Sequence, residues 1–156
     1  MKLFKSLLSI TLIVLFFTNC KQKVDSESYV VKKDYFEDGK LKSVYFGDTL
    51  KIGKAYYFNN KGEKFTDINF YGSKFNGSYK YYFDGKIILI ENYLHGNKHG
   101  VYINYNVNGD IIEEGEYKNN LKNGIWNHYS NNKLVLSEFY QNGKLKDIIY
   151  DEKRIH

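Results

Sequence analysis

Gly77-Ser78-Tyr79-Lys80-Tyr81-Tyr82 recurs as Gly100-Val101-Tyr102-Ile103-Asn104-Tyr105 and again as Gly124-Ile125-Trp126-Asn127-His128-Tyr129. A looser copy, Gly53-Lys54-Ala55-Tyr56-Tyr57-Phe58, departs from the others at its third position. The four glycines lie 24, 23 and 24 residues apart, and the sixth position is aromatic each time: Phe58, Tyr82, Tyr105 and Tyr129. Self-similarity at a fixed period of this length marks a repeat architecture. One unit cannot bury its apolar face alone, but stacked neighbours can.

Each opening segment runs into turn residues: Asn60-Lys61-Gly62, Asp84-Gly85, Asn108-Gly109 and Asn131-Asn132. Asp-Gly and Asn-Gly are strong hairpin signals, because a type I′ turn needs positive φ at both central residues. A second strand then leads to another aromatic, Phe70, Tyr93, Tyr117 or Tyr140, and a return loop leads to the next unit. An earlier copy runs from Tyr35 through Asp38-Gly39 to Phe46. The expected unit is strand, tight turn, strand, loop, with no room for a helix. Sequential hairpins pair with their neighbours, so the predicted fold is all-β: an elongated antiparallel meander of repeated hairpins, its aromatics in rows along a face. A closed sandwich or barrel is the alternative. Closure requires corners and bulges that break a period.

Composition agrees. Aromatics make up 18% of the 156 residues, with 16 Tyr and 11 Phe, and aromatic side chains fit a pleated surface. Proline, which removes a ladder hydrogen bond, is absent. The length suits one domain, and 42% hydrophobic with 26% charged residues is a globular balance. A single cysteine excludes a disulfide framework within the chain and any cysteine-rich metal site.

Residues 1–19 stand apart. Lys2 and Lys5 precede a mostly apolar stretch from Leu7 to Phe17, shorter than a bilayer span and of the length of an export signal. It ends at Phe17-Thr18-Asn19-Cys20, and Cys20 is the only cysteine. This join resembles a bacterial lipobox, although Asn19 stands where a small residue is usual and Phe17 where Leu is usual. The resemblance implies cleavage before Cys20 and lipidation of Cys20. Residues 20–28 then form the lipidated cysteine and a flexible tether, residues 29–156 form the repeat domain, and the protein is held to a membrane of the bacterial cell envelope, outside the cytoplasm. Without residues 1–19 the formal charge falls from +5 to +3.

Glycine, aromatic, Asn/Asp-Gly turn, aromatic and glycine-containing return resemble the MORN repeat. The match is closest to the variant form found in proteins similar to the YwqK antitoxin family. It is strongest over Gly115-Glu116-Tyr117-Lys118-Asn119-Asn120-Leu121-Lys122-Asn123-Gly124-Ile125-Trp126 and spans about residues 35–146. The second glycine of the common MORN unit is replaced here by Tyr79, Tyr102 and Trp126. The resemblance implies a solenoid-like single sheet, with roles in protein contact or membrane association and, for some relatives, neutralisation of a toxin.

On this reading the glycines and unit aromatics are structural. Tyr79, Tyr102 and Trp126 form a row if the hairpins stack in phase, either as packing or as a contact stripe, with packing favoured. Binding then falls to variable residues: Asn104, His128, and the return loop around His95 and His99. The His95–His99 spacing suits a helix face and metal ligation, but the segment reads as a loop and lacks an acidic third ligand. Glu91 and Glu138 occupy equivalent positions, where cross-strand pairing with lysines is expected. No nucleophile elbow, P-loop or dinucleotide fingerprint is present, and no cofactor or metal is expected. Export and the modest mature charge speak against nucleic acid, despite the aromatics. The expected function is a membrane-anchored, non-catalytic interaction module whose partner is another protein, an envelope-acting toxin among the candidates. Contact of phospholipid headgroups with Lys40, Lys42, Lys51, Lys54, Lys61 and Lys64 is the alternative, and a small envelope enzyme stands third.

Overall fold

The structure, a computed structural model, describes residues 29–47 and 52–151. The export signal, Cys20 and the tether lie outside the described residues. Eleven strands follow in chain order: β1 (Tyr29–Tyr35), β2 (Leu41–Gly47), β3 (Ile52–Phe58), β4 (Lys64–Tyr71), β5 (Lys74–Phe83), β6 (Lys86–Leu94), β7 (Asn97–Tyr105), β8 (Ile111–Lys118), β9 (Leu121–Ser130), β10 (Lys133–Gln141) and β11 (Lys144–Asp151). They form one antiparallel sheet whose spatial order is the sequence order. The elongated meander is therefore the observed architecture, and among the described residues there is no helix.

The return segments differ from the expected loops. Those between β4 and β11 that the structure describes are two-residue turns, with positive φ at both His95 and Gly96, Asn119 and Asn120, and Asn142 and Gly143, and at Gly72 alone in Gly72-Ser73. Of the turns within each unit, only Asp84-Gly85 and Asn131-Asn132 have positive φ at both residues. The turns at Asp38-Gly39, Asn60-Lys61-Gly62 and Asn108-Gly109 are longer, with a single left-handed glycine each. Two of these longer turns are organised by an asparagine: the Asn59 and Asn106 side-chain oxygens each accept two backbone N–H groups. His99 lies within β7 rather than in a loop, while His95 sits at the turn.

The unit glycines also fall elsewhere than expected, inside strands rather than at their starts. Gly77, Gly100 and Gly124 have φ of +97°, +93° and +76°, at places where the pairing register slips. The carbonyl two residues before each glycine is free for the next turn. Gly96 N–H donates to the Phe75 carbonyl (2.8 Å), Asn120 N–H to Lys98 (2.9 Å) and Gly143 N–H to Lys122 (2.9 Å). Each unit is thereby latched to the one before it. A second irregularity recurs once per unit, where Phe65, Ile88, Ile112 and Val135 are skipped in the pairing as bulges. The repeat thus keeps its period by repeating its bulges.

Gly100→Ala is expected to destabilise the sheet by about 1–3 kcal/mol, the cost of holding a side chain at a strongly positive φ. The nearest atom that a Cβ would meet there is the Asn92 Cβ at 3.6 Å, so the penalty is conformational rather than steric. Chemical denaturation checks it; an unchanged midpoint would contradict the latch geometry.

Candidate functional site: a three-lane face

Strand alternation and register divide one face of the sheet into three lanes. The lane beside the two-residue turns pairs glycines with unit aromatics: Gly53 with Phe70, Gly77 with Tyr93, Gly100 with Tyr117 and Gly124 with Tyr140. The middle lane runs Tyr45, Ala55, Ile68, Tyr79, Glu91, Tyr102 and Gly115, and continues with Trp126 and Glu138. The outer lane runs Ser43, Tyr57, Thr66, Tyr81, Leu89, Asn104, Glu113, His128 and Leu136, each the cross-strand partner of the next.

The first two lanes are packing. Trp126 is the largest fully buried side chain, at 0% exposure, and its ring lies over Gly115. Tyr102, Tyr117 and Tyr140 surround it with ring centroids 5.2, 5.0 and 6.5 Å away. Its indole N–H donates to the Glu116 carbonyl (3.2 Å). A second cluster joins Ala55, Ile68 and Phe70 to Tyr45, Tyr57 and Tyr79. Of the three residues weighed as a contact stripe, Trp126 has no area to offer a partner, and Tyr79 and Tyr102 are half-buried.

Charges are woven through the rings. Buried Glu91 accepts from the Tyr93 hydroxyl (2.7 Å) and from the Lys98 ammonium, which also lies over the Tyr117 ring. Lys122 repeats the arrangement, 3.1 Å from Glu113 and 3.9 Å from the centre of the Trp126 ring. Such a lysine gains both an ion pair and an aromatic face. Glu91 thus has the lysine partner expected of it, whereas Glu138 has none among the described residues. It binds His128 Nε2 (3.1 Å) and the Tyr140 hydroxyl (3.1 Å). His128 Nδ1 faces Glu113 at 3.9 Å, so the imidazole stands between two carboxylates. That arrangement was invisible in the sequence, because it depends on register across three strands and their bulges.

Burial pushes the phenols of Tyr93 and Tyr102 well above the usual tyrosine range, with Glu91 and Glu113 respectively opposing a second negative charge. A folded-state value raised above the unfolded one contributes stability that is complete below ~pH 10 and lost as pH rises through the folded value. Phenolate absorbance should therefore show a fraction of the 16 tyrosines held back in the folded chain and released on alkaline unfolding. Identical titration curves in buffer and in denaturant would contradict this.

The sixth-position aromatics lie on the opposite face, not in the same rows. Third and sixth positions differ by an odd number, which strand alternation converts into opposite faces. There the Tyr82 hydroxyl donates to Asp67 (2.7 Å) under the Lys64 ammonium, and the Tyr129 hydroxyl to Glu114 (2.6 Å). Phe58 and Tyr105 occupy the equivalent places, half-buried. His95 is exposed at its turn, and His99 Nδ1 lies 3.3 Å from the Asn119 side-chain oxygen. Among the described residues, no group of three or more His, Cys, Asp or Glu is placed to hold a metal ion.

Among the open hollows of the described surface, two lie beside the aromatic strands. One, of about 600 Å³, lies between the turns at Asn59 and Asp84-Gly85, beside Phe65, Tyr81 and Phe83. The other, of about 160 Å³, lies on the three-lane face over Ala55.

No family model matches the chain, and no curated protein is similar to it. Solved structures are similar over part of it, among them two crystal structures of TarM. One is a crystal structure of a mutant of S. aureus TarM in complex with Fondaparinux, alpha-GlcNAc-glycerol and UDP, at 15% identity and a TM-score of 0.42, covering 67% of this chain and 21% of that one. The other is a crystal structure of TarM, at 15% identity and a TM-score of 0.41, covering 69% and 21%. The chain spans about a fifth of the length of each. Likeness of that extent bears on neither activity nor substrate.

Proposed function

We propose that this chain is a lipid-anchored, non-catalytic interaction module whose repeat sheet presents the outer lane to another protein at the bacterial cell envelope. The observation that supports it most is the contrast between lanes. Glycines and stacked rings recur where the face is packed, while the outer lane changes chemistry from unit to unit: Tyr57, Tyr81, Asn104, His128. The outer lane to which they belong stands in line across nine strands, from Ser43 to Leu136, a run of roughly 38 Å at about 4.8 Å per strand. A repeat scaffold binds through such an extended surface, with variable residues on a constant frame. The resemblance to variant MORN repeats supports the same reading. Its YwqK-like form points to an envelope-acting toxin as one class of partner. The lipobox-like Cys20 supports the membrane.

The test is capture from solubilised membranes by the full chain. Asn104→Lys, in the outer lane, should weaken capture by about tenfold with unchanged melting. Val101→Lys, an exposed position three residues earlier on the opposite face, should leave capture intact. Equal effects of the two would count against the outer lane.

A further inference from the structure

The two faces of the sheet differ in charge as well as in packing. On the face opposite the three lanes, one cross-strand row runs Lys33, Val44, Tyr56, Asp67, Lys80 and Ile90. Lys54 lies in the row beside it, between Phe46 and Asn69, and Lys74 stands opposite Tyr71 at the start of β5. Lys64 is on the same face, over the rings of Tyr56 and Tyr82. Within these strands the only carboxylate on that face is Asp67, which is buried, accepts from the Tyr82 hydroxyl and lies 3.4 Å from the Lys64 ammonium. Lys33, Lys54, Lys74 and Lys80 are in no ion pair among the described residues. Farther along, in β8–β11, the same face carries Glu114, Glu116 and Asp147. The neighbouring segments outside the described residues carry no net charge: residues 48–51 hold Asp48 and Lys51, and residues 21–28 hold Lys21, Lys23, Asp25 and Glu27.

The chain outside the structure joins the sheet at this basic half. Residues 20–28 lead from Cys20 into β1 and span at most about 30 Å. The strand spacings from β1 to β5 amount to about 19 Å, and those from β1 to β11 to about 48 Å. An anchor at Cys20 therefore keeps the lysine-bearing strands within reach of the bilayer, and the acidic strands are the far end.

We propose that the β1–β5 part of this face lies on anionic phospholipid headgroups of the anchoring membrane, which turns the outer lane away from the bilayer and toward the partner. The proposal rests on the lipid-anchor reading and adds an orientation to it. A lysine near an anionic surface gains about fivefold in affinity, so four of them give roughly 600-fold. That is enough to orient a chain already held at the surface, where the second contact is intramolecular. It is too little to hold the chain without the anchor. Tyr71, 51% exposed beside Lys74, supplies an amphipathic ring of the kind that sits at headgroup level.

The test uses the full-length acylated chain in nanodiscs of phosphatidylcholine, with or without phosphatidylglycerol. A water-soluble acetylating reagent labels the lysines, and mass spectrometry reads each site. Lys33, Lys54, Lys74 and Lys80 should react about fivefold more slowly in the anionic discs than in the neutral ones, and the difference should vanish in high salt. Lys118, on the same face among the acidic strands, and Lys133, at the turn after β9, should react equally in both. Lys54→Gln combined with Lys80→Gln should release Lys33 and Lys74 to the rate seen in neutral discs, without a change in melting. If that variant melts lower, Lys33→Gln combined with Lys74→Gln, both at exposed positions, should release Lys54 and Lys80 instead. Equal rates in the two discs, protection shared by Lys118 and Lys133, or protection of Lys33 alone, as in a sheet standing on its β1 edge, would overturn the orientation while the anchor stands. Protection that appears only when solubilised envelope proteins are added would make this face a protein site and overturn it too. A chain that leaves both kinds of disc refutes the anchor, and the proposal with it.

Discussion

Trp126→Ala is expected to unfold the C-terminal units first and to destabilise the sheet by about 3–5 kcal/mol, the range for removing a buried aromatic without collapse of its surroundings. The indole is the hub of one of the two ring clusters and is fully buried, with Tyr102, Tyr117 and Tyr140 around it and Lys122 across its face. A single sheet has no second layer to move in and fill the space. Gly115→Val should produce a comparable loss from the other side, because an added Cβ would lie 2.4 Å from the indole. Since both substitutions act on one contact, the double variant should be more stable than the sum of the single losses implies. Thermal and chemical denaturation of the three variants measures this. Strict additivity would mean that ring and glycine do not pack as described.

Cys20→Ser is expected to move the protein from the membrane fraction to the soluble envelope fraction, or to leave it with its signal uncleaved. Several acyl chains on one residue bind far more firmly than the single chain that gives only marginal attachment. Among the described residues no helix is long and apolar enough to cross a membrane. Fractionation together with metabolic acyl labelling reads both outcomes. A Cys20→Ser protein that stays membrane-bound after cleavage, with no label on the wild type, would refute the anchor.

The period of the fold was legible because glycines and aromatics recur at nearly constant spacing, and spacing survives in a linear chain. Asp84-Gly85 and Asn131-Asn132 were legible as type I′ turns for the same reason, since their residue types match the φ that the turn requires. The return turn at His95-Gly96 was not, because a histidine at φ +52° carries no turn signal of its own. The mid-strand glycines read as strand openings, since a glycine interrupts the aromatic pattern whether it starts a strand or bends one. Only the latch from each turn to the carbonyl before the glycine explains their place. The faces of the aromatics depend on parity through the bulges at Phe65, Ile88, Ile112 and Val135, which no spacing rule announces. The same bulges bring His128 between Glu113 and Glu138. Ala55 was visible as a missing aromatic, but the hollow above it follows from the swing of the Phe70 ring over Gly53.

Photo-crosslinking in intact cells tests the central claim, that the outer lane is the surface on which a partner protein sits. A photoreactive residue is placed singly at Tyr57, Tyr81, Asn104 and His128, and at Lys54, Lys80, Val101 and Ile125 on the opposite face, with Cys20 unchanged. The account predicts one crosslinked protein species shared by the outer-lane positions and weak or absent at the other four. Crosslinks confined to Lys54, Lys80, Val101 and Ile125, or lipid adducts alone at every position, would contradict it.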